Sequence, residues 1–469
     1  MALVSDHIFK GYDIRGIYPT DYNEENIIPI VKAVYTFLHK GKKENEPLTV
    51  VVGTDMRTSS PSLTKIAIDT LVQLGANVID IGMVSTPTFY FAVSYYGYES
   101  GFQITASHNP KEWNGMKIVK NSPGGLIKIG KSGGLMEIKE NAINGKSVLP
   151  QPGGKVEKKH GILEDEVKNA LKIVGNPVIK KYRIVADTAN AMGAQYIEAL
   201  FNEVPAELIK MNFEYDGTFP AHQPDPLQAE TLVELQKRVV KEHADLGLAP
   251  DGDGDRLFFI DENGSIVPPT IITSIIAKDL LKRSPGDTVL VDIRYLLTPK
   301  KILEEVGGKM KITKVGHAYI TEGLHESGGI FAGESSAHYF FRETGNAESQ
   351  MPVILTILKV MSEEGKTLSE LVAEYRRSYE SGEINFKVKN AADIMEKIKE
   401  KYIDCELVTV DGVAINYPTW RASIRTSNTE PLLRLNVESL DESEMFEKRD
   451  ELKGFIEENA IQDSTATTH

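Results

Sequence analysis

Leu48-Thr-Val-Val-Val-Gly-Thr-Asp55 is a short apolar run closed by a turn with a small or acidic residue, and similar runs return as Ile184-Val-Ala-Asp-Thr188 and Val289-Leu-Val-Asp-Ile293. A buried parallel strand reads this way, because a strand covered on both faces does not alternate polar and apolar residues. About 20 residues after each run stands a second strand candidate, at 77–81, 206–211 and 309–315, with a helix-like stretch between. Strand, helix, strand seen three times predicts three related α/β domains in series.

The chain has 469 residues, which at about 150 residues per domain suggests three or four domains. Residues 141–159, NAINGKSVLPQPGGKVEKK, are rich in Gly, Pro and Lys and read as an exposed linker. Residues 366–383 are charged and helical in pattern; beyond them, helix and strand signals end in the apolar set Leu432, Leu433, Leu435 and Val437. The expected division is therefore 1–150, 151–250, 251–370 and a smaller C-terminal α+β unit, 371–469, with a frayed polar end at 464–469.

Hydrophobic residues make up 41% and charged residues 26%, ordinary for a globular protein. A net charge of -14 disfavours nucleic acid and anionic lipid as partners, so any phosphate must be held locally. The lone Cys405, the lack of a signal-like start and the absence of a long apolar run predict a cytoplasmic protein.

Four loops carry the chemistry. In Asp251-Gly-Asp-Gly-Asp-Arg256 three carboxylates crowd into six residues, a repulsive set unless a hard cation such as magnesium or calcium sits among them. An EF-hand reading fails at its sixth position, where Arg256 replaces the required glycine; a solvated acidic turn is the bland alternative. Thr105-Ala-Ser-His-Asn-Pro110 offers a serine after a strand. It lacks the nucleophile elbow of acyl transfer, and a phosphoryl-carrying serine fits better, with a polar turn as the alternative. Arg425-Thr-Ser-Asn-Thr-Glu-Pro431 supplies a guanidinium fork and small donors suited to a phosphate dianion, or to a capped turn. Gly333-Glu-Ser-Ser-Ala-His338 groups carboxylate, hydroxyls and imidazole, as sugar hydroxyls require, or forms a satisfied turn.

Taken in chain order, TASHNP, DGDGDR, GESSAH and RTSNTEP, the four loops resemble the α-D-phosphohexomutase family over nearly the whole chain, and Phe9-Lys-Gly-Tyr-Asp-Ile-Arg-Gly16 is similar to the start of its phosphomannomutase/phosphoglucomutase branch. The GTDGIRG-like opening and sugar-loop glutamine typical of phosphoglucosamine mutases are not found here, which leaves that activity as the alternative within the family. The resemblance implies four domains, the first three topologically alike with mixed sheets, around a central cleft. It implies interconversion of hexose 6-phosphate and hexose 1-phosphate, of mannose or glucose, through a phosphoserine and a bound hexose 1,6-bisphosphate, which also serves as activator. One magnesium ion is implied, held by Ser107, Asp251, Asp253 and Asp255.

Carried over by residue, Tyr12, Arg15, His108, Asn109 and Arg256 line the reacting site, and Lys117 is the general acid/base, a role requiring a lowered pKa. Glu334 and Ser336 bind sugar hydroxyls, His317 and His338 stand close to substrate, and Arg425, Ser427, Asn428 and Thr429 hold the phosphate that is not reacting. Arg294, expected at the substrate, stands where many relatives have lysine; Ser335 and Ala337 stand where Met and Gly are common. A monomer or homodimer is expected. Rival readings are a metal-dependent phosphatase and a non-catalytic phosphosugar- or metal-binding protein.

Overall fold

The three apolar runs become the central strands of three sheets built to one plan. The computed structural model describes residues 4–43, 46–426 and 432–460. In the first sheet Thr49–Thr54 lies parallel to Asn77–Met83 on one side and Ser100–Ile104 on the other, and Trp113–Ser122 adds antiparallel to Ser100–Ile104. The second repeats this with Tyr182–Asp187 between Ala206–Met211 and Leu246–Pro250, then Leu257–Asp261 antiparallel. In the third, Thr288–Asp292 lies between Lys309–Thr313 and Phe331–Gly333, with Tyr339–Phe341 antiparallel. Val50, Val51 and Val52 are all fully buried although successive side chains point to opposite faces, as expected of a sheet covered by helices on both sides.

The C-terminal unit is an antiparallel sheet around Trp420–Thr426 and Leu432–Ser439, with Tyr379–Glu380 and Ile384–Lys387 also paired to the latter strand. Leu433, Leu435 and Val437 pack with Ile394 and Ile398 of helix Ala391–Lys401 and with Leu452 and Ile456 of helix Glu442–Asn459. The opposite face is buried too, against the third unit. Glu438 accepts from the backbone N–H groups of Leu296 and Leu297 and from Arg421, whose guanidinium also donates to the carbonyls of Ile293 and Arg294.

Three expected boundaries shift, the one at 370/371 because helix Leu368–Tyr375 runs across it and packs Leu371 and Tyr375 into the preceding core. Within 141–159, helix Met136–Asn144 covers the start, and Lys155–Lys158 forms an edge strand parallel to Asn77–Met83, so this stretch still belongs to the first sheet. Its polar sequence reflects an edge strand in which all four residues are exposed. The division at 250/251 falls inside the hairpin Leu246–Pro250/Leu257–Asp261, and the acidic loop is the tip of that hairpin. Among the described residues no helix is long and apolar enough to cross a membrane.

The first two units meet at a buried carboxyl. Glu166, on helix Ile162–Val174, accepts a 2.7 Å hydrogen bond from Thr88 Oγ1 of helix Thr86–Tyr95, and burial pushes its pKa up to about 7. The folded protein thus holds this proton to higher pH than the unfolded chain, so the contribution of this one carboxyl to stability is most favourable at low pH and declines as pH rises from the ordinary carboxyl range through about 7. Glu166→Gln retains an acceptor for Thr88. It is expected to stabilise the fold by about 1–3 kcal/mol at about pH 8 and by much less at about pH 5. Thermal melts of both proteins at the two pH values check this; equal shifts would contradict it.

Candidate active site

The loops carrying Ser107, the three aspartates and Glu334 are topological equivalents. Each leaves the third parallel strand of its unit, Ser100–Ile104, Leu246–Pro250 or Phe331–Gly333, and returns as the antiparallel fourth. Loops at the carboxyl ends of parallel strands are where α/β sheets bind ligands. Here three such ends face one cleft of about 840 Å³, lined by Ser107 from the first unit, Arg256 from the second, Glu334 from the third and Arg425 from the fourth.

Ser107 adopts a left-handed backbone (φ 52°) that is uncommon outside glycine and concentrated at functional sites. Its Oγ lies 3.3 Å from Asp251 Oδ2 and 3.3 Å from His108 Nδ1. The acidic loop can come this close because residue 252 is glycine: a Cβ there would sit 2.5 Å from the Ser107 carbonyl oxygen. Asp251 Oδ1 accepts from the N–H groups of Gly254 and Arg256, each at 3.1 Å. Burial and the neighbouring Asp255 and Asp253 raise the Asp251 pKa well above the ordinary carboxyl value.

One oxygen from each of Asp251, Asp253 and Asp255 lies within 4.8 Å of the others, and Asp253 Oδ1 is buried with no hydrogen-bond partner among the described residues. This acidic group can hold a metal ion, and its all-oxygen donor set suits a hard dication.

Lys117 Nζ lies 2.5 Å from both Asp253 Oδ2 and Asp255 Oδ2. Burial alone would lower its pKa, but the two carboxylates outweigh it and raise the pKa well above the ordinary lysine value. The expected lowered pKa is therefore not what this arrangement produces; Lys117 is held as a cation. Asp255 is likewise held well below the ordinary range by Lys117 and His338, despite burial. His338 bridges Asp255 (3.3 Å) and Glu334 (3.3 Å), and these carboxylates overcome burial to push it up to about 9.

Most of the remaining expected residues also meet here. Arg15 chelates Asp13 and donates to Asn109 Oδ1 at 2.6 Å. Tyr12 bonds the Val315 carbonyl and packs against the His317 ring, whose two nitrogens are buried beside the cleft with no hydrogen-bond partner among the described residues. Burial and the cations Lys128 and Lys117 lower the His317 pKa well below the usual value, and burial with Arg256 and Arg15 does the same for His108. Arg256 reaches Asp225 Oδ1 at 3.3 Å, and Arg294 binds Asp292 and Ser336 Oγ. Glu334 Oε1 accepts from the Gly316 N–H at 2.8 Å. Arg425 is buried and paired with Glu383 at 2.7 Å, which also contacts Arg434 at 3.2 Å. Ser427, Asn428 and Thr429 lie outside the described residues.

Matches to known proteins follow this geometry along the chain. Family models described as phosphoglucomutase/phosphomannomutase alpha/beta/alpha domains I, II and III match residues 6–132, 165–264 and 268–379, and the model of the C-terminal domain matches 383–453. The chain belongs to the phosphoglucomutase/phosphomannomutase family. It is 40% identical to a phosphomannomutase of Methanocaldococcus jannaschii across 96% of this chain and 97% of that one. It is 36% identical to a Vibrio cholerae phosphomannomutase, covering 92% and 94%. A phosphoglucomutase/phosphomannomutase family structure from Burkholderia thailandensis superposes with a TM-score of 0.86 at 26% identity, covering 98% of this chain and 99% of that one. The enzyme is a phosphohexomutase, an isomerase of the α-D-phosphohexomutase family.

Sequence reasoning missed several residues of the site. Arg57 is fully buried beneath the serine loop. Lys128 of the first unit pairs with Glu348 of the third, between the rings of Tyr90 and Phe340. Glu383 faces the phosphate-loop arginine. For Arg57 a signal existed, since Asp55-x-Arg57 and Asp292-x-Arg294 end equivalent strands.

Proposed function

We propose that this phosphohexomutase interconverts the 1- and 6-phosphates of glucose or mannose in a reducing, cytoplasmic setting, with Ser107 as phosphoryl carrier and a bound hexose 1,6-bisphosphate as intermediate. The observation that carries the reading is the meeting of Ser107 Oγ with Asp251 at 3.3 Å in a cleft that also contains Glu334, Ser336 and Arg425.

In the first step the bond from phosphorus to Ser107 Oγ breaks as a bond from the sugar's free hydroxyl oxygen forms. Lys117, held protonated between Asp253 and Asp255, gives a proton to Ser107 Oγ and regains one from the sugar hydroxyl, so atoms and charge balance. Arg15 and Arg256 offset charge on the moving group. Asp251, Asp253, Asp255 and Ser107 would hold magnesium, which when bound draws negative charge from the leaving serine oxygen. Glu334 and Ser336 hold sugar hydroxyls while Arg425, with Ser427, Asn428 and Thr429, holds the distal phosphate. The bisphosphate then turns around and returns its other phosphoryl group to Ser107. Free hexose 1,6-bisphosphate acts as activator by phosphorylating the serine.

Supplying glucose 1-phosphate or mannose 1-phosphate with catalytic glucose 1,6-bisphosphate is expected to yield the 6-phosphate without inorganic phosphate. Release of inorganic phosphate as the main product would favour a phosphatase, and binding without turnover a non-catalytic protein.

Arg425→Ala tests the distal phosphate contact. Removing one side of a buried arginine–phosphate pair costs about 2 kcal/mol or more, so KM is expected to rise about 30-fold. Free bisphosphate should also escape during turnover. Unchanged KM with no escaping intermediate would reduce this residue to the partner of Glu383.

A further inference from the structure

Arg57 ends the turn after Thr49–Thr54, where its N–H donates to Asp55 Oδ1 at 3.0 Å. The equivalent turns repeat that bond, from Ala189 to Asp187 at 3.1 Å and from Arg294 to Asp292 at 2.9 Å. At one structural position the three units thus carry Arg57, Ala189 and Arg294. Arg294 lines the cleft, whereas Arg57 is fully buried behind the serine loop.

The Arg57 guanidinium spends four N–H bonds on four carbonyls of the loop. Nη2 donates to Ser107 at 2.8 Å and Asn109 at 2.6 Å; Nη1 donates to Pro110 at 2.7 Å and Trp113 at 2.9 Å. Nε faces Asp55 Oδ2 at 3.2 Å. The second unit closes over this cation: the Phe219 ring stacks 5.2 Å from it, and Gly217 packs so tightly that a Cβ would lie 2.6 Å from Arg57 Cα.

We propose that Arg57 is a positioning residue for phosphoryl transfer, fixing the strained Ser107 backbone by its carbonyls so that Oγ is aimed at the acidic loop. This rests on the reading of Ser107 as carrier. Four carbonyls directed at one rigid fork cannot be matched by a lysine, which offers three donors from a point charge. A misplacement of about 1 Å in a reacting atom costs about 100-fold in rate. Among the described residues the Arg57 guanidinium bonds only to Asp55 and the serine-loop carbonyls, and not to Glu334, Ser336 or Arg425, so its effect falls on transfer and not on substrate binding.

The test is Arg57→Lys, with kcat and KM for glucose 1-phosphate measured beside the rate at which glucose 1,6-bisphosphate phosphorylates Ser107, followed by intact mass. The expected result is a fall of about 100-fold in kcat and a similar slowing of phosphorylation, with KM within about threefold of wild type. Phosphorylation at the wild-type rate, or a rise in KM matching the loss in kcat, would overturn the proposal. If Arg57→Lys does not fold, Phe219→Leu decides: about a fivefold fall in kcat at constant KM supports it, and unchanged kcat overturns it. Wild-type enzyme that takes no phosphoryl group at Ser107 would instead overturn the carrier reading, and the positioning role with it.

Discussion

Ser107→Ala is expected to lower kcat by at least about 10⁴-fold while the protein still folds and still binds hexose phosphate. The substitution removes the only atom in the proposed scheme that carries the phosphoryl group, whereas Glu334, Ser336 and Arg425, which hold the substrate in that scheme, are untouched. The loop itself should survive. Its carbonyls at positions 107, 109, 110 and 113 are held by Arg57, and those bonds involve no serine side chain. Steady-state kinetics and calorimetric titration with glucose 1-phosphate check both halves. Near-wild-type turnover by the variant would remove Ser107 from the mechanism.

The second large effect concerns the acidic loop. Asp251→Asn keeps an oxygen for the Gly254 and Arg256 N–H groups but removes a carboxyl whose ionisation is opposed by burial and by Asp255 and Asp253. After chelator treatment the variant is therefore expected to melt above wild type, by several degrees. Its activity with added magnesium should fall by about 10³-fold, because a carboxylate ligand and its charge are gone. Thermal melts with and without chelator, beside activity at saturating magnesium, check the two signs together. A variant that is less stable without metal and fully active with it would contradict a metal role for this loop.

Much of the fold was legible in sequence because its decisive strands are buried on both faces and so appear as unbroken apolar runs. The runs at Leu48, Ile184 and Val289 mark the central strands, and the apolar residues at 433, 435 and 437 mark the C-terminal sheet. The boundary at 250/251 was misread because DGDGDR looks like a break between elements, whereas it is the tip of a hairpin whose two strands pair residue by residue. Residues 155–158 read as linker because an edge strand with every side chain exposed carries no apolar signal.

The site divides the same way. Loops with a dense local signature, such as TASHNP and GESSAH, could be found from residue type and spacing. Properties that arise only when distant segments meet could not. Lys117 sits in an unremarkable stretch, and its firmly cationic state comes from two aspartates more than a hundred positions away. Lys128 and Glu348 are separated by 220 positions and meet only because the first and third sheets close on each other. Arg57 was hidden for a related reason: its bonds go to backbone carbonyls, which leave no trace in composition. The internal repeat pointed to it, since the aspartate that ends each central strand places its second successor at an equivalent position.

The most direct measurement is a chase. Enzyme phosphorylated at Ser107 with isotopically labelled glucose 1,6-bisphosphate is freed of excess reagent and mixed with unlabelled glucose 1-phosphate and magnesium. Transfer through the serine predicts that label leaves Ser107 at a rate at least equal to kcat and appears in hexose bisphosphate and hexose 6-phosphate. Label that stays on the serine through many turnovers, or that emerges as inorganic phosphate, would contradict it.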